Sequence, residues 1–163
     1  MNFGKVSESI YKRTVYKTIH TTGYFDKEMK NGAVLGADCA FLQLPSLGGV
    51  VTAGGQAWGK DVAVATRAAH HALNHLAAMG AMCDVSDEKA IAYISLNFHI
   101  PTEYREAKLR AVLEKVTQEM AAMHVSILTT EVQVIPGITT VLVTAHAYTY
   151  SIKQAVPALG GAK

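Results

Sequence analysis

Cysteine is scarce. Cys39 and Cys83 are the only two in 163 residues, too few for a disulfide framework, and no C-x-x-C pair is present to suggest a zinc or redox motif. Seven histidines are present, but none stands in the H-E-x-x-H spacing of a helical zinc site. Charge is thin as well: 17% of residues are charged, against about 25% in an ordinary globular domain. The formal net charge of +2 is too small for a strong electrostatic hold on nucleic acid or an acidic membrane. No run of about 18 apolar residues occurs, so no helix is expected to span a membrane. The opening Met1-Asn2-Phe3-Gly4-Lys5 has no apolar stretch behind a basic patch, so no secretory signal is expected. The compartment these absences imply is the cytoplasm, with both thiols reduced.

What is present is apolar. Half the residues are hydrophobic, which excludes disorder and, with so little charge, implies that more surface than usual is covered by something. The length suits about one domain: residues 1–155 are read as that domain and 156–163 as a tail with Gly160-Gly161. Residues 5–20 suggest a short helical or extended arm. Cys39 to Leu44 and Val50 to Ala53 read as strands. Gly48-Gly49 and Gly54-Gly55 read as hairpin or strand-end turns, without the lysine and hydroxyl of a phosphate loop. Val62, Ala65, Ala69, Leu73, Leu76 and Met79 recur at spacings of three and four, which predicts a helix over 60–79 closed by Gly80. Residues 90–99 predict a strand. A helix from about 103 to 123 follows, with Thr102 as its cap and Leu109, Val112, Val116, Met120 and Met123 as its buried stripe. Val125 to Val134 and Thr139 to Tyr150, parted by Pro136-Gly137, predict the last two strands.

The order is ββ-α-β-α-ββ, an α+β sandwich: a mixed or antiparallel sheet with two helices on one face. The strands carry apolar residues on both sides, so the second face needs a cover that this chain has no third helix to supply. A second copy pairing through the sheet is expected to provide it. A charge on the final strand, such as Val143→Asp, is then expected to leave the chain insoluble or unfolded.

Four segments match a known order. Gly4-Lys5-Val6-Ser7-Glu8-Ser9 with Lys12-Arg13, the turn Gly36-Ala37-Asp38-Cys39-Ala40, the helix from His70 through Asn74-His75-Leu76-Ala77-Ala78-Met79-Gly80-Ala81, and Thr130-Glu131-Val132 together resemble the N-terminal domain of the aminoimidazole ribonucleotide (AIR) synthetase superfamily. Within it, hydrogenase-maturation-factor-like members are most similar. The resemblance implies ATP-using enzymes whose N-terminal sheet pairs with a second copy into a dimeric barrel, with ATP held against a larger C-terminal domain.

The departures are as informative as the matches. The family's strand motif Ser-Thr-Asp stands here as Val51-Thr52-Ala53, and its helix Asn-Asp as Asn74-His75. The first acid of the glycine turn is Ala37. A phosphate-facing glycine pair is Ile127-Leu128, followed by Thr129 where the family has histidine. Magnesium wants carboxylate oxygen rather than imidazole, and phosphoryl transfer depends on that charge neutralisation. Under the resemblance, Asp38 and Asn74 are residual nucleotide-site residues. On their own, Asp38 reads as a turn residue bonding local backbone, and Asn74 either as a residual ligand contact or as helix-surface polarity. His71 and His75, four apart, share a helix face that two zinc ligands can use, but no third ligand is placed, so no metal site is expected.

The expectation is a free-standing, catalytically degenerate domain of this type, an assembly or interaction module partnered with itself and using no cofactor. The alternative is an ATP- and magnesium-dependent enzyme half, completed by a separate chain carrying the C-terminal domain. Neither reading has nucleic acid or a membrane as a partner.

Overall fold

The computed structural model describes residues 7–22, 29–30, 39–44, 48–78 and 91–151. Asp38, Ala37, Met79, Gly80 and Cys83 lie outside the described residues. The arm is helical: α1 (Glu8–Ile10), a π-helical stretch (Tyr11–Tyr16) and α2 (Lys17–Thr22). No residue of α1 or the π stretch is buried, and Lys12 and Glu8, one turn apart, pair at 2.6 Å.

The body is a mixed sheet under two helices. Its strands are β1 (Met29–Lys30), β2 (Cys39–Leu44), β3 (Gly48–Gly59), β4 (Ala92–Pro101), β5 (Val125–Ile135) and β6 (Val141–Ser151), in the order β1-β2-β3-β6-β4-β5. β4 and β5 are parallel and every other pairing is antiparallel. The helices α3 (Val64–Ala78) and α4 (Glu106–Ala122) cover one face. Along β4 every second residue from Ala92 to Ile100 is buried, the period of two that one covered face imposes. The core joins Ile94, Leu96 and Phe98 to Val141, Val143, Ala145 and Ala147 of β6 and to Ala65, Ala69, Leu73 and Leu76 of α3.

Several boundaries differ from the sequence expectation. Gly54-Gly55 is no turn: both residues lie inside β3, which runs on to Gly59. The reason is packing. A Cβ on Gly55 would come within 2.4 Å of Ala72 N and 2.5 Å of Ala68 O, so the α3 backbone rests directly on the strand. Val62 precedes α3 and is exposed, because Asp61 opens the helix instead, its Oδ1 accepting from the Ala63 N–H at 3.0 Å. Among the described residues Thr102 caps no helix. Pro101 ends β4, and α4 begins after an extended Arg105 without a side-chain cap. Val143 is fully buried under the helices, so it belongs to the core and not to the outer face.

Candidate functional site

Two of the four resembling segments meet where β2 begins beside β3, the glycine-turn segment through Cys39 and the α3 segment through His75; the N-terminal segment lies on the exposed helical arm. Cys39, which follows Asp38, pairs with Ala53. Gly54 follows Ala53, and its carbonyl oxygen lies 2.9 Å from His75 Nδ1. Asn74 is the exposed neighbour of that histidine on α3. None of the described positions here carries a carboxylate: Ala53 is a buried methyl, Asn74 an amide and His75 an imidazole. The fourth segment is elsewhere. Thr130-Glu131-Val132 lies on the outer strand β5, and β6 and β4 stand between it and β3, three strand spacings or roughly 14 Å away. Glu131 is exposed and accepts from Gln133 Nε2 at 2.8 Å.

The histidines divide their work. His71 Nδ1 sits 2.9 Å from the Gln56 carbonyl, as His75 does from Gly54. A carbonyl only accepts, so each Nδ1 carries the proton and donates. β2 pairs with β3 only as far as Ala53, so Gly54 and Gln56 lie on a stretch of β3 with no described strand on that side. The i, i+4 pair thus serves backbone acceptors at a sheet edge. His70 points to α4, with Nε2 3.4 Å from Glu119 Oε2. Lys115 pairs with the same carboxyl at 2.6 Å and, with His70 second, holds it below the usual carboxylate range. Among the described residues, no three His, Cys, Asp or Glu side chains converge as metal ligands would. Sequence spacing showed that His71 and His75 share a face. Their actual acceptors depended on β3 extending beyond β2, which the glycine-turn reading had hidden.

The sheet face away from the helices carries Leu42, Val50, Thr52, Gln56, Trp58, Tyr93, Ser95, Asn97, His99, Leu142, Thr144, His146, Tyr148 and Tyr150 in register. No described helix covers it. Trp58 is 52% and Tyr150 65% exposed. Tyr93 meets Tyr150 edge to face, with centroids 6.1 Å apart, beside a groove of about 460 Å³ shared with Val50, Leu128 and Tyr148. The centre of the face is polar, more so than the apolar strand pattern implied.

Comparison with solved structures decides what this architecture is. The complex of AaThiL with AMPPCP and TMP superposes with a TM-score of 0.59 at 8% identity over 93% of this chain and 46% of that one. Thiamine monophosphate kinase from Aquifex aeolicus gives 0.56 at 7% over 94% and 45%. The fold is the AIR synthase-related, PurM-like one. A chain of the HypE–HypF complex gives 0.50 at 12% over 86% and 43%. This PurM-like chain therefore spans a little under half the length of each of these proteins. No protein-family description and no curated sequence matches it. No described helix is long and apolar enough to cross a membrane.

Proposed function

We propose that this chain is a PurM-like domain whose magnesium–ATP machinery has decayed and whose work is assembly, first with a second copy of itself and through that with other proteins. The observation that carries the reading is the bare sheet face. Its four long strands, about 4.8 Å apart and about 33 Å long, present a projected area of roughly 600 Å², approaching the about 800 Å² per partner of a standard interface. Trp58, Tyr93, Tyr148 and Tyr150 are the residue types that anchor interfaces. The side-chain chemistry at Ala53, Asn74 and His75 supports the loss of catalysis, since none is a hard anionic ligand for magnesium. Under this reading the chain uses no metal or nucleotide, and its compartment is the cytoplasm. Light scattering at low micromolar concentration tests it: at least twice the chain mass is expected, and a well-folded monomer overturns it.

A second reading rests on the solved neighbours. AaThiL was solved with AMPPCP and TMP and HypE with HypF. This chain spans less than half of either, so an ATP-dependent enzyme half completed by a separate C-terminal-domain chain fits the same fold. Asp38 and Asn74 would then contact nucleotide. Magnesium-dependent ATP hydrolysis abolished by Asp38→Ala or Asn74→Ala establishes this reading. An isolated half need not turn over, so failure of the purified chain to bind ATP with magnesium, measured by titration calorimetry, is the result that supports the first.

A further inference from the structure

We propose a phosphate-binding site away from Ala53, Asn74 and His75, in the cleft where the carboxyl end of β4 meets the β5–β6 turn. The cleft holds about 480 Å³ and is lined by Lys60, Thr102, Glu103, Tyr104, Lys108 and Thr139, with Pro101 and Ile138 as apolar wall. That volume lies within the roughly 300–1,000 Å³ of small-molecule sites.

The charge arrangement points to an anion. Asp61, next to Lys60 in sequence, is taken by Arg67, whose two guanidinium nitrogens bind its two oxygens at 2.7 and 2.8 Å. Glu106, near Lys108, is taken by Arg110 at 2.9 Å. Asp61 and Glu106 are thus engaged by arginines, and neither Lys60 nor Lys108 has a described ion pair or hydrogen bond. Two ammonium groups face one cleft whose lining holds a single carboxylate, Glu103. The Tyr104 hydroxyl also has no described hydrogen-bond partner. Burial, with Asp61 second, raises its pKa, so it stays protonated and able to donate.

The donor set selects phosphate over carboxylate. Two ammonium groups act as point charges, as lysine does toward phosphate, and together they match a dianion better than the single charge of a carboxylate. A phosphate monoester carries about −1.5 to −2 charges at neutral pH, matching Lys60 and Lys108 together, with the Thr102, Thr139 and Tyr104 hydroxyls free to donate to its oxygens. The remaining volume against Pro101 and Ile138 suits a small organic group. The ligand class is a small phosphate monoester.

Titration calorimetry of the full chain with inorganic phosphate and with glycerol phosphate, at constant ionic strength, tests this. Saturable binding at one site per chain is expected, weakened at least tenfold in K60A/K108A and retained in K60R/K108R. Glu103→Gln is expected to tighten binding two- to fivefold by removing a like charge. Both lysines are exposed and have no described ion pair, so an unchanged melting temperature without phosphate checks that the variants are folded. No saturation, a loss below tenfold in the double alanine variant, or an equal loss in Asn74→Ala overturns the assignment. The last outcome would place phosphate beside Asn74 instead.

Discussion

At Gly55 a single hydrogen atom sets the distance between helix and sheet. A methyl group there meets backbone atoms of α3 at 2.4 and 2.5 Å, and backbone cannot rotate away as a side-chain tip can. Gly55→Ala is expected to destabilise the fold by about 3 kcal/mol, the upper range for overpacking a core. Gly54→Ala, whose nearest neighbour would lie 4.0 Å away, is expected to stay within about 1 kcal/mol. Urea unfolding of the pair checks both. Asp61 makes a second prediction at this scale. Arg67 holds its carboxyl down to about 2 from an ordinary 3.8. A group whose folded pKa is depressed contributes stability above its unfolded pKa and loses it as pH falls through the folded one. The melting temperature is therefore expected to fall between about pH 4 and pH 2, and Asp61→Asn to flatten that part of the profile. Apolar periodicity in the sequence passes over Asp61 and Arg67: it begins the helix at residue 60 and counts Val62 in the apolar stripe.

Elements were legible where periodicity was strict. β2 has the expected limits, and the stripes Ala65, Ala69, Leu73, Leu76 and Val112, Val116, Met120 lie in the core as their spacing required. Two things misled. Glycine has no side chain to reveal a face, so Gly54-Gly55 concealed the outer half of β3. Thr102 has the chemistry of a cap but sits where the chain is still turning out of β4. The histidine edge follows from that longer β3. Losing either ring leaves a β3 carbonyl short of its donor, at about 1 kcal/mol. His71→Ala and His75→Ala are each expected to lower the unfolding free energy by that amount, read as a lower urea midpoint at an unchanged slope. The double variant is expected to speed amide exchange along residues 54–58 more than in β4, measured by deuterium uptake.

For the whole molecule, the element order ββ-α-β-α-ββ indicated the architecture, two helices over one face of a sheet. Val143 was misassigned, since a strand apolar on both sides does not say which side the helices take. The register now separates the two. Tyr148→Glu, on the bare face, is expected to yield a folded monomer, whereas Val143→Asp, under the helices, is expected to abolish folding; circular dichroism beside light scattering distinguishes them. A folded dimer carrying Tyr148→Glu would remove that face from the interface. The strand order has one more consequence, for synthesis. β3 and β4 never touch as strands; β6 lies between them and is made last of the six. A ribosome that has released everything through β5 has released two unjoined pieces, a β1–β2–β3 meander and a β4–α4–β5 unit, each with a raw edge. The nascent chain must keep both edges apart from other chains until residue 151 emerges, so stalling or truncation within 141–151 is expected to send the protein to chaperones or aggregates rather than to a smaller folded product.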